Sequence, residues 1–264
     1  MLGKLMKYEI KATSRTFLPL YFVLLVSALI NRLLGPLTQD SIRIPNIISM
    51  SLYVIILIGM FVMTFIVMIS RFYKNLLSDE GYLMFTLPVK TWQHISGKLI
   101  ISVIWITISF IMAIASIFII ATREVTLSDI SMSIKILWEL ITEKLGPSTW
   151  TVITQIILAA VFTMISSVLM IYASIVLGHL VTRHKILASF GAFIILNTIS
   201  QILSAVAASI MFRTDIVSLN NVEITPADFL FQKIMWFAII FSAIGSVVYF
   251  VITNIILTKR LNLE

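Results

Sequence analysis

Six blocks of apolar residues, set apart by short polar stretches, organise this chain: about 17–35, 47–70, 99–121, 149–178, 186–212 and 232–257. A bilayer core about 30 Å thick takes roughly 20 apolar residues as helix, so each block predicts a membrane-crossing helix. Residues 2–15 carry a different pattern. Lys4, Lys7, Lys11 and Arg15 recur at helical spacing, with Leu2, Leu5, Met6 and Ile10 on the apolar side. This predicts a basic amphipathic helix over 1–16, lying in the interface and drawn to anionic lipid, or serving only as a topological anchor. Pro19 suits the first turn of a new helix, which predicts a break between this arm and the first span.

Between spans three and four, Ile134, Leu137, Trp138, Ile141 and Leu145 share a helical face opposite Lys135, Glu139 and Glu143. That predicts an outer amphipathic helix at the interface over 131–145, with an extracellular gate as the other reading. Helix punctuation fits the same plan. Gly35 and Pro36 stop span one, Pro45 and Asn46 introduce span two, and Pro147, Ser148 and Thr149 start span four. Span four covers 149–178 and exceeds the bilayer, so it tilts or protrudes. Thr225, Pro226, Ala227 and Asp228 supply a cap, a first-turn proline and a carboxylate, so the last helix begins before its apolar block. The expectation is an all-α membrane protein, a single transmembrane domain over 1–264 without a soluble domain or internal repeat. The first block follows a sixteen-residue polar arm and lacks a small-residue cleavage site, which argues against a cleaved signal peptide.

Composition agrees with the pattern. At 59% hydrophobic and 12% charged residues, the 264-residue chain is far from a soluble domain, whose charged fraction is near a quarter. There is no cysteine, which excludes disulfides, thiolate metal sites and cysteine nucleophiles. Basic residues set the orientation. Twelve lie on one side of the predicted topology: Lys4, Lys7, Lys11, Arg15, Arg71, Lys74, Lys90, Lys98, Arg183, Lys185, Lys259 and Arg260. Seven lie on the other: Arg32, Arg43, Arg123, Lys135, Lys144, Arg213 and Lys233. Both termini are therefore expected in the cytoplasm. The net charge of +7 reads as membrane topology and implies no nucleic-acid partner.

Little in the sequence suggests catalysis. The Gly-Lys pairs at 3–4 and 97–98 lack the upstream glycine and following Ser/Thr of a phosphate-binding loop. His94, His179 and His184 fall at cytoplasmic positions, off the spacing of a helical metal site, and read as solvated interface residues. Span centres carry almost no charge, which argues against a relay of buried carboxylates. Gln155, Asn197, Gln201 and Asn254 stand out among the polar residues within spans. Asn197 and Gln201, four apart, read either as glue between helices or as the lining of a pathway. Ala159, Thr163 and Ser167 form a small-residue stripe suited to close helix packing.

The segment 71–98 is the longest polar interruption on the expected cytoplasmic side. It holds the acidic turn Asp79, Glu80 and Gly81, an apolar cluster at 82–85, the stop at Pro88 and the interfacial Trp92. Acidic residues at a short helix start need no partner. The cluster of Tyr82, Leu83, Met84 and Phe85 is less easily left to water, since such patches meet membrane or protein.

Asp79, Glu80, Gly81, Tyr82, Leu83, Phe85, Thr86, Leu87, Pro88 and Val89, followed by Lys98 and Leu99, resemble the first cytoplasmic loop of ABC-2 type transporter permeases. The likeness is closest to the small permeases of Gram-positive bacteria. It implies a membrane subunit with no cofactor of its own, paired with a second permease subunit and powered by a cytoplasmic ATPase dimer that holds ATP and Mg. In that family the loop between spans two and three forms a coupling helix on the ATPase. The resemblance thus implies that Asp79, Glu80, Gly81, Tyr82, Leu83, Phe85 and Pro88 contact the partner. The alternatives are a membrane scaffold or sensor subunit that moves nothing and, third, a secondary transporter.

Overall fold

The computed structural model describes residues 2–34, 44–77, 90–122, 127–145, 149–181, 183–211 and 227–259. These form seven helices and no strand: α1 (Leu2–Leu34), α2 (Ile44–Leu77), α3 (Thr91–Ala121), α4 (Leu127–Leu145), α5 (Thr149–Gly178), α6 (Lys185–Met211) and α7 (Ala227–Lys259). All but α4 are long and apolar enough to cross a membrane. The chain is a multi-pass membrane protein, as its hydropathy blocks predict. The spanning helices run from 27 to 34 residues, or about 40–50 Å at 1.5 Å per residue, longer than a bilayer core.

The first helix departs from expectation. α1 runs through Pro19 without a break, so the basic arm and the first span are one element. Its buried positions explain why. Glu9, Thr13, Phe17, Tyr21, Leu24, Ala28 and Asn31 follow one another at three or four residues and form one stripe on both sides of the proline. An interior proline costs a helix about 3 kcal/mol. Burying each large apolar side chain returns about 1.5–3 kcal/mol, so the continuous stripe outweighs the lost hydrogen bond. Pro19 itself is exposed, as are Lys7, Lys11 and Arg15. The side chain of Lys4 lies outside the described residues.

The chain divides into two units, 1–71 with 96–140 and 72–95 with 141–264. In the first, α1, α2 and α3 enclose a core of Phe17, Tyr21, Leu24, Ala28, Tyr53, Met60, Ile101, Trp105 and Ala113. Pro45 sits in the first turn of α2, where its missing N–H costs nothing.

In the second unit, α5 packs mainly on α7, and α6 leans on α5 while scarcely touching α7. The C-terminal half of α5 is densely buried, and Phe72 stacks on its Tyr172 at 3.9 Å and 9°. The small-residue approach lies beside the expected stripe. Thr163 and Ser167 are exposed, and Ser167 donates to the Thr163 carbonyl at 2.8 Å. The close contact falls at Ser166, whose Oγ would be 3.1 Å from a Cβ placed on Gly245 of α7. One position along a helix is about 100° around it, enough to move a stripe off its neighbour.

No residue of α6 is buried. On α4, Ile134, Leu137, Trp138 and Ile141 are exposed, as are Lys135, Glu139 and Glu143 opposite them. The expected punctuation at Gly35, Pro36, Pro147, Ser148, Thr225 and Pro226 lies outside the described residues.

Candidate functional site

Buried polar groups join α1 to α3 in a ladder inside the first unit, and α2 enters at the higher rungs. The lowest rung is an ion pair. Lys98 Nζ donates to Glu9 Oε1 at 2.6 Å, with the residues 4% and 7% exposed. Taking both charges out of water costs several kcal/mol each, and only a close, well-aligned contact compensates. In the same turns Arg71 Nη2 donates to the carbonyl of Ala12 at 3.2 Å, so α2 also grips α1.

Above the pair, Trp105 Nε1 donates to Thr13 Oγ1 at 2.8 Å. Thr13 can accept because its own proton goes to the Glu9 carbonyl at 2.8 Å. The indole also stacks on Phe17, 4.4 Å between centroids and 15° between planes. The next rung binds three helices. Thr64 Oγ1 donates to the Met60 carbonyl at 2.8 Å and so accepts from Ser109 Oγ at 3.0 Å. Ser109 in turn accepts from Tyr21 Oη at 2.8 Å. Tyr53 Oη donates to Ser116 Oγ at 2.9 Å, since Ser116 gives its proton to the Ala113 carbonyl at 2.8 Å. Asn31 Nδ2 closes the ladder on the Ser49 carbonyl at 2.9 Å, beside an open pocket of about 390 Å³. Each hydroxyl proton on these rungs is committed, so the ladder fastens helices to one another.

The residues singled out from sequence fare differently. Asp79, Glu80, Gly81, Tyr82, Leu83, Phe85 and Pro88 lie outside the described residues. Asn197 and Gln201 meet each other on α6, Gln201 Nε2 to Asn197 Oδ1 at 3.3 Å, with Gln201 exposed. Gln155 on α5 is 2% exposed, and neither of its amide atoms has a hydrogen-bond partner among the described residues. Lys98 belongs to a helix interior rather than to the polar loop with which its charge groups it in sequence.

The histidines are corrected in part. His94 is fully buried rather than solvated, four residues before Lys98 on the same side of α3. His179, just past α5, is half-buried with its ring edge-on to Tyr73 at 5.1 Å. Burial holds its pKa below the ordinary 6.5, the Ile175 carbonyl pulls it upward, and the Lys185 charge adds to the depression. His184 is exposed and adopts a φ of 57°, turning the chain between α5 and α6. Among the described residues no group of three or more metal-ligating side chains occurs.

Sequence reading missed Glu9, Thr13, Tyr21, Trp105 and Ser109. A signal was present, since Glu9, Thr13, Phe17 and Tyr21 recur every four residues, as do Lys98, Trp105 and Ser109 at seven and four. Comparison with known protein families, curated proteins and solved structures finds no match to this chain.

Proposed function

We propose that this chain is the membrane-spanning permease subunit of an ATP-binding cassette transporter in a bacterial cell membrane. It acts as an exporter of peptides or amphipathic compounds. Both termini and the 71–98 segment face the cytoplasm, where a separate ATPase dimer carrying ATP and Mg docks on 79–88. A second permease subunit, identical or homologous, completes the pathway. The exposed Lys7, Lys11 and Arg15 on α1 meet anionic headgroups on the cytoplasmic side. The apolar face of α4 rests on the outer leaflet.

The observation that carries this reading is the run from Asp79 to Val89, with Lys98 and Leu99 after it, and its likeness to an ABC-2 coupling loop. Its setting supports the likeness. α2 ends at Leu77 and α3 begins at Thr91, so two spanning helices lead into and out of the segment. Nucleotide-driven closure at the loop would move spans two and three and switch access to the pathway.

A test is to change the loop and leave the membrane helices alone. Glu80→Arg reverses a charge that meets a basic partner group, and Phe85→Ala removes an aromatic anchor worth about 2 kcal/mol or more of binding. Both variants are expected to assemble in the membrane and to lose ATPase association or substrate-stimulated turnover. Wild-type association and turnover in both would make the loop a connector and leave the scaffold or sensor reading.

A further inference from the structure

We infer that the buried pair of Glu9 and Lys98 is a positioning element for the coupling proposed above. It holds the first turns of α1 in register on α3, so that α1 takes up displacement reaching the start of α3. The functional half of this inference rests on the coupling reading, and the structural half does not.

Holding two helices together does not require charges. Apolar side chains of similar volume do so without desolvation, often with equal or greater stability. What the pair adds is alignment. A 2.6 Å contact is met at one axial setting of α1 on α3, and a slip of one turn, about 5.4 Å, would bury two unpaired charges. The neighbouring contacts are directional too. Trp105 reaches Thr13 at 2.8 Å and Arg71 reaches the Ala12 carbonyl at 3.2 Å, so the same turns of α1 are gripped from both α3 and α2.

Location gives the alignment its use. α3 starts at Thr91, one residue after Lys90 and the 78–89 segment, and continues as one helix through Lys98. Seven residues of helix are about 10 Å of stiff rod. A push on the beginning of α3 therefore arrives at Lys98, where the ion pair passes it to α1. The exposed Lys7, Lys11 and Arg15 lie on the free side of the element thus held, and serve as reporters of whether it stays seated.

The chain has no native cysteine, so Glu9→Cys/Lys98→Cys can replace the ion pair by two thiols and, with a bifunctional thiol reagent of matching reach, by a covalent bridge. Two readouts are taken on the complex with its ATPase: the rate of trypsin cleavage after Lys7, Lys11 and Arg15, and substrate-stimulated ATPase turnover. Without the bridge, cleavage should rise at least tenfold and turnover fall at least tenfold, with KM for ATP unchanged. Bridging should restore both. The swapped variant Glu9→Lys/Lys98→Glu should keep wild-type protection and most of the turnover, and it decides the matter should the cysteine variant fail to accumulate. Wild-type cleavage in the unbridged variant, or an unprotected arm in the swapped one, overturns the proposal. A freed arm with undiminished turnover also overturns it while leaving the coupling reading in place. If the wild-type protein itself shows no substrate-stimulated turnover, the coupling reading falls and proteolysis alone decides the register.

Discussion

Trp105 donates its indole N–H to the hydroxyl of Thr13 at 2.8 Å, and its ring lies on Phe17, one turn along α1 from Thr13. The bond has a direction, because Thr13 spends its own proton on the Glu9 carbonyl and can only accept. Thr13→Val keeps the shape but leaves a buried donor without an acceptor, which costs about 1–3 kcal/mol. Trp105→Phe removes that donor. The double variant should therefore be less destabilised than the sum of the singles, by about 0.5 kcal/mol or more. Thermal unfolding in detergent measures this, and simple additivity would remove the bond from the account.

The turn between α5 and α6 is set by a glycine. A Cβ on Gly178 would overlap both the hydroxyl and the backbone of Ser189, so Gly178→Ala has to push α6 away from α5. Overpacking of this kind costs about 1–3 kcal/mol. Because backbone atoms of Ser189 are part of the overlap, Ser189→Gly should not restore stability in the double variant. Full rescue would show that only the hydroxyl is in the way.

Acid should loosen the same end of α5. The fold favours neutral His179, whose pKa is lowered by burial first and by Lys185 in addition. The unfolded chain then binds more protons than the folded one between the depressed value and 6.5, so stability falls as pH drops through this window. Above pH 6.5 the effect is absent. Unfolding midpoints measured from pH 8 to 5 should show this loss in the wild type and less of it in His179→Gln. Equal pH dependence in the two would assign the loss to other groups.

Orientation is open to a direct check. Single cysteines at Ser78 and Thr126, in a chain that has none, should react from opposite sides of intact cells. Thr126 should label from outside and Ser78 only after permeabilisation. Labelling of both from outside would contradict six spans with cytoplasmic termini.

The spans were legible because a bilayer imposes length and apolarity on contiguous residues. The block at 149–178 coincides with α5. What was not legible depends on partners distant in sequence. Glu9 and Lys98 are 89 residues apart, and either alone reads as a charge for the water side. Pro19 reads as a boundary until the stripe from Glu9 to Asn31 is seen to be buried on both sides of it. Ser167 and Ser166 differ by one position, and only the approach of Gly245 selects the second. His94 looks solvated in the sequence, yet it lies within α3 and is fully buried, which its place beside a polar loop does not reveal. The candidate contacts Asp79, Glu80, Tyr82 and Phe85 rest on sequence likeness, and their evidence has to come from binding.

In the function proposed above, this chain passes the work of a separate ATPase through 79–88 to a pathway across the membrane. The most direct measurement is co-purification of the wild-type protein with its ATPase, followed by ATP turnover in lipid with and without added amphipathic peptides. A stable complex is predicted, with turnover stimulated by the transported compound and the stimulation abolished by Glu80→Arg. A protein that purifies without any ATPase, or a complex whose turnover ignores every candidate compound, would contradict it.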